Sequence, residues 1–253
     1  MDQLSESLLL FLIALLANGL SALAGGGAGL LQLPVLLFLG LGFATALATH
    51  KIASVALGVG ASLRHVKEGR LKGALVLWML AGGVPGVLLG ANLVLAVPEE
   101  WLRRALGVLT LGLGVYSMVS PELGQQVKAR PDTLMHRVLG ALGLFCIGVL
   151  NGSLTSGTGL FVTLWLVLWF GLDYSLAVAH TLVIVGIVWN GAGALAVAMQ
   201  APVKWIWLPA LIAGALAGGY AGAHLSIVKG NRLVKRAFEV LTILVGLALL
   251  YRG

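Results

Sequence analysis

The chain has 253 residues, 59% of them hydrophobic and 10% charged, with a mean hydropathy of +1.02. A soluble domain carries about 25% charge, so this composition excludes a soluble globular protein and marks an integral membrane protein. The formal net charge of +7 is gathered in a few loops, which reads as membrane orientation rather than nucleic-acid binding.

The opening, MDQLSESLLLFLIALL, has an apolar run with acidic flanks. A signal peptide has a basic opening, so this segment reads as mature protein. The first apolar stretch runs from Leu8 to Gly42 and contains Ala24-Gly25-Gly26-Gly27-Ala28-Gly29-Leu30. Glycines there break a membrane helix, and a break at membrane depth is tolerated only where the freed backbone is buried in protein or lines a cavity. The stretch is too long for one helix, since about 20 residues span a bilayer. Beyond the glycines, Leu30 to Leu39 would rise only about 15 Å as helix, against roughly 30 Å of hydrocarbon. The stretch is either a long broken helix or a hairpin that returns to its starting side.

The second stretch, Phe43 to Leu63, carries Thr49-His50-Lys51. By helical rise Lys51 lies roughly 12 Å in from Phe43. An ionisable group in hydrocarbon costs about 2.5–3.5 kcal/mol even on the lenient insertion scale. Lys51 either snorkels to the interface or supplies a cation for an anionic substrate. Two further stretches follow, Ala74 to Val97 and Leu102 to Val119. Then comes a polar linker, SPELGQQVKARPDTLMHR.

Four more apolar stretches follow: Val138 to Gly171, Tyr174 to Met199, Trp205 to Val228, and Val234 to Tyr251. The first of these holds a second glycine cluster, Thr155-Ser156-Gly157-Thr158-Gly159-Leu160, and the single cysteine, Cys146. One cysteine excludes an internal disulfide, and its apolar setting reads as a buried, inert thiol. His180-Thr181 stands where the first set has Thr49-His50. Asn190 follows about two and a half helical turns on.

The chain therefore reads as two duplicated halves, 1–119 and 138–253, joined by the linker 120–137 and forming one unit. Gly40-Leu41 matches Gly171-Leu172. Ala46, Ala48 and Gly60 match Ala177, Ala179 and Gly191. Arg103 to Thr110 (RRALGVLT) matches Lys235 to Thr242 (KRAFEVLT). The third stretches share a ladder, Gly82, Gly86 and Gly90 against Gly214, Gly218 and Gly222. Small residues at that spacing let helices approach closely, so the ladders read as packing faces.

Charge favours the hairpins. The heaviest basic loops are Arg64, Lys67, Arg70, Lys72 and Lys229, Arg232, Lys235, Arg236, with Lys128, Arg130 and Arg137 in the linker. If each opening stretch is a hairpin, all three loops share one side, as the positive-inside rule asks. Each half then crosses an odd number of times, and the halves are inverted. The expected fold is an all-α polytopic membrane protein. It has about eight membrane segments in two duplicated, inverted halves, each opening with a glycine-broken helix or hairpin.

Paired breaks of this kind point to a transporter's binding site. Each break would present the N-terminus of a short half-helix, near Ala28 and near Thr158, with free N–H groups and a positive dipole end. With Lys51 they make an anion site. The residues expected to bind substrate are Gly27, Ala28, Gly29, Thr49, His50 and Lys51 from the first half. The second half supplies Ser156, Gly157, Thr158, Gly159, His180, Thr181 and Asn190. Asn18, Ser21 and Asn151 read as helix-packing polar residues.

At these residues the chain resembles the TauE/SafE family of sulfite and organosulfonate exporters. The motifs are AGGGAGLLQLPVLLFLG from Ala24, ALATHKIAS from Ala46, and SGTGLFVTLWLVLWFGL from Ser156. The resemblance implies a secondary transporter of the inner membrane for sulfite, sulfonates or related small anions, with roughly eight helices in two related halves. The second half departs from the pattern. Its opening is poorer in glycine, it has no counterpart to Pro34, and no lysine follows Ala179-His180-Thr181.

Other classes fit less well. None of the five histidines forms an HxxxH or HExxH pair, and the acidic residues lie near segment ends, which argues against a membrane-embedded enzyme. A channel would use rings of subunits or charges. The glycine run lacks the GK[ST] of a nucleotide loop, so no cofactor is expected. The expected partners are the anion, the bilayer, a coupled proton or other ion, and a second copy in a homodimer.

Overall fold

The computed structural model describes residues 3–65, 68–69, 71–93, 99–154 and 157–251. Helices dominate, because a chain in lipid must satisfy its backbone within each segment. In chain order they are α1 (Gln3–Ala24), α2 (Ala28–Phe38), α3 (Phe43–His65), α4 (Gly73–Leu93), α5 (Glu99–Met118) and α6 (Leu134–Leu154). After these come α7 (Thr158–Leu168), α8 (Tyr174–His180), a π-helical segment (Thr181–Trp189), α9 (Asn190–Ala198) and α10 (Leu208–Tyr251). Among the described residues, six helices are long and apolar enough to cross a membrane: α1, α3, α4, α6, the α8–α9 run and α10. The protein is thus a multi-pass helical membrane protein. α10 has 44 residues and kinks at Gly230, whose φ is 70° and ψ −171°.

Both glycine clusters break the chain. Gly25, Gly26 and Gly27 take φ of 87°, 143° and 102°, and Gly157 takes 77°. Each cluster is followed by an 11-residue helix, α2 or α7. Both short helices fold back on their predecessors. Asn18 Nδ2 donates to Gln32 Oε1 at 2.8 Å, although a straight helix would hold those residues roughly 21 Å apart. Trp165 Nε1 donates to Gly140 O at 3.1 Å and Trp169 Nε1 to His136 O at 3.0 Å. The Trp169 ring also stacks on His136 at 4.8 Å. Of the two readings of the opening stretches, these contacts select the hairpin.

The two glycine ladders pack crosswise. A methyl at Gly82, Gly86 or Gly90 of α4 would strike the carbonyl oxygen of Ala141, Phe145 or Val149 of α6. One at Gly214, Gly218 or Gly222 of α10 would strike that of Phe11, Leu15 or Gly19 of α1. Residue numbers rise together in both pairs, so each pair runs parallel. Gly86→Ala is expected to lower the melting temperature in detergent, at about 1–3 kcal/mol for an overpacked contact. Gly112→Ala, where nothing lies within 4 Å of the added carbon, should leave it unchanged. Equal melting of the two variants would remove the ladder's packing role.

The linker meets described residues of both other basic loops, and Lys72 shares a cavity wall with Lys128 and Arg130. Lys235 Nζ donates to Ser120 O and Pro121 O. Asn231 Nδ2 donates to Gln125 O at 2.9 Å, and Lys128 N–H to Gly171 O at 2.8 Å. The linker is therefore folded onto the second hairpin. Cys146 is exposed on α6, contrary to expectation. α6 turns its glycine face toward α4, and the opposite face is apolar because it meets lipid.

Candidate functional site

The two breaks touch. A carbon added to Gly26 would lie 2.5 Å from the backbone of Gly159, and one added to Gly159 would lie 2.9 Å from Gly26 Cα. Only paired glycines permit that approach. A neighbouring pair, Gly58 of α3 and Gly186 of the π segment, meets in the same way. Between these contacts lies a cavity of about 40 Å³, lined by both breaks, α3 and the π segment.

Of the expected residues, Gly27, Ala28, Gly29, His50, Thr158, Gly159, Thr181 and Asn190 line this cavity. Ala28 and Thr158 are the first residues of α2 and α7. The first N–H groups of a helix have no intrahelical partner, and each N-terminus carries roughly half a positive charge. No acidic side chain is among the lining residues. The cavity thus receives two positive dipole ends and no carboxylate.

The other expected residues stand behind the lining. Gly157 is the left-handed residue that starts α7 and packs against Leu30. Thr49 accepts the Lys204 N–H at 3.0 Å. His180 accepts the Lys72 N–H on Nε2 at 2.9 Å, and its Nδ1 lies 2.8 Å from Leu176 O. Ser156 falls outside the described residues.

Lys51 does not snorkel. It is fully buried, and its ammonium donates to Asn151 O at 2.9 Å. Asn151 lies in the last turn of α6, at the negative end of the helix dipole. The ammonium therefore caps the negative end of α6, and Gly193 leaves room for it. Asn151 also donates from Nδ2 to Thr158 Oγ1 at 2.8 Å. Lys51 is thus two hydrogen bonds removed from the start of α7.

Three polar lining residues, Ser21, Ser54 and Asn151, are absent from the sequence-based set. Ser21 and Asn151 precede the breaks by about one helical turn, which was the available signal. Ser54 follows His50 by four residues, on the same helix face. Its hydroxyl donates to His50 O at 2.8 Å and lies 3.1 Å from His50 Nε2. His50 Nδ1, Ser21 Oγ and Asn190 Oδ1 are buried without a partner, so the lining offers unfilled hydrogen-bonding capacity.

The π segment explains why Thr181 and Asn190 share this lining. Nine residues of α-helix make two and a half turns and set its ends on opposite faces. The i→i+5 bonding of Thr181–Trp189 unwinds this span relative to an α-helix, and both residues line the cavity. Such winding is frequent at functional sites.

A helical, multi-pass protein with two half-helix N-termini at one buried polar cavity has the build of a membrane transporter. The chain belongs to the sulfite exporter TauE/SafE family, whose profile matches residues 10–249. It is similar to the probable membrane transporter protein YfcA of Escherichia coli (strain K12), 28% identical over 242 residues, covering 96% of this chain and 88% of that one. It also resembles a probable membrane transporter protein of Haemophilus influenzae, at 26% over 247 residues and 96% and 94% coverage. A third relative is the probable membrane transporter protein YunE of Bacillus subtilis (strain 168), at 22% over 273 residues and 97% of each chain. No solved structure gives a significant match.

Proposed function

We propose that this protein is a secondary transporter that carries a small anion, such as sulfite or an organosulfonate, across the inner membrane. The observation that carries this reading is the meeting of the α2 and α7 N-termini at one cavity without acidic side chains. The modest cavity suits a small ligand. Lys51 adds its charge from behind the wall, through Asn151 and Thr158.

The carrier mechanism rests on two inverted halves, 1–119 and 138–253, each with a hairpin and three crossings, eight segments in all. Two sets of crossed contacts support this arrangement. Each glycine ladder packs on the opening helix of the other half. Thr49 and His180, which correspond, each accept a backbone N–H from a loop of the other half, at Lys204 and Lys72. Rocking one half against the other would break one such contact at a time and open the cavity to alternate sides.

Purified protein should bind sulfite, a sulfonate or a small carboxylate saturably, and reconstituted protein should show counterflow. A blank screen across all three classes would remove the anion assignment. Non-saturating flux with measurable conductance would make the protein a channel.

A further inference from the structure

A second, larger cavity of about 320 Å³ opens between the linker and Lys72. Its lining includes Lys72, Lys128, Arg130 and Arg137, with Asp132 as the one acidic residue. Arg137 is paired with Asp132 at 2.5 Å, which leaves three cations there without a carboxylate partner among the described residues. The linker wall is fixed in place. Lys128 N–H bonds Gly171 O, and Arg130 donates to Leu168 O at 2.7 Å. A short chain of contacts links this cavity to the central one. Lys72 lines it, the Lys72 N–H bonds His180, and the next residue, Thr181, lines the central cavity.

We propose that this basic cavity is a vestibule that collects the transported oxyanion before it reaches the central site. The Lys72–His180 hydrogen bond is the partition between the two chambers. The inference rests on the transport reading above and extends it to a second anion-binding site. Like charges lining a cleft with low-dielectric walls concentrate the counter-ion and speed its capture. Three cations without carboxylates around an open chamber meet that condition. The same charge would suit the phosphate of an anionic lipid, so the test separates the two sources.

In proteoliposomes at low salt, the double variant Lys72→Gln/Lys128→Gln is expected to raise the KM for sulfite more than it lowers the maximum rate, by about three- to tenfold. It should also lose most of the wild-type dependence on ionic strength. An unchanged KM in a folded variant beside an active wild type would overturn the vestibule. So would co-purified lipid phosphate lost in the variant, together with activity that follows cardiolipin content rather than salt. A second measurement does not depend on transport. In a Cys146→Ala background, a cysteine placed by Ala74→Cys lines the vestibule. It should react faster with an anionic than with a cationic thiosulfonate reagent, relative to the same pair in the Lys72→Gln/Lys128→Gln background. A ratio that does not move between backgrounds overturns the vestibule even if wild-type protein transports none of the tested anions, a result that would count separately against the transport reading.

Discussion

Gly26→Ala is expected to abolish transport and to lower the melting temperature by more than any other single methyl added to a glycine break. Two costs combine. At φ 143° a side chain is strained, at about 1–3 kcal/mol. The added carbon would also lie 2.5 Å from the Gly159 backbone, an overpacking of about 1–3 kcal/mol. Neither cost can be relieved by a rotamer, because the obstacle is main chain. Gly40→Ala separates the two effects. Gly40 also has a positive φ, 94°, but nothing lies within 4 Å of an added carbon. It should show the strain alone and keep transport. If Gly26→Ala transports as well as Gly40→Ala, the contact between the two breaks is not the binding site.

Lys51→Ala is expected to reduce both stability and transport, the latter by tenfold or more. Removing the ammonium takes a charged donor from Asn151 O at the end of α6, and a buried hydrogen bond to a charged group contributes about 1.5–3 kcal/mol. It also loosens Asn151, which holds Thr158 at the start of α7. Lys51→Gln distinguishes the cap from the charge, since its amide can still donate to Asn151 O. Recovery of melting temperature without recovery of sulfite binding would make the charge the active element. Recovery of both would make Lys51 a cap and nothing more. Binding equal to wild type in Lys51→Ala would remove Lys51 from the mechanism altogether.

Several features were legible in the sequence because they depend on local chemistry. Clustered glycines in an apolar run mark helix breaks, and both breaks are present. Loop charge favoured hairpins, and the contacts of Asn18 with Gln32 and of Trp165 with Gly140 show them. Other features depend on which way a helix is turned, and composition does not carry that. Lys51 and His50 are neighbours on α3, yet His50 lines the cavity and Lys51 faces the end of α6. Cys146 looked buried because lipid-facing and protein-facing residues are equally apolar. The π winding from Thr181 to Trp189 has no signature in periodicity. The linker read as a connector, whereas Gly171 receives the Lys128 N–H and makes the linker a wall.

The crossed ladders also bear on how the chain is made. α1 packs along α10, which is synthesised long after it. At ~5–20 residues per second, the roughly two hundred residues between Phe11 and Gly214 impose a wait on the order of ten to forty seconds. Throughout that interval Phe11, Leu15 and Gly19 offer an unfilled helix face to the bilayer, and α1 must be held by lipid or by the insertion machinery. The pair α4 and α6 has no such delay, since its members are separated by a single helix and the linker. The α4–α6 pair should therefore assemble before the seam along α1 closes.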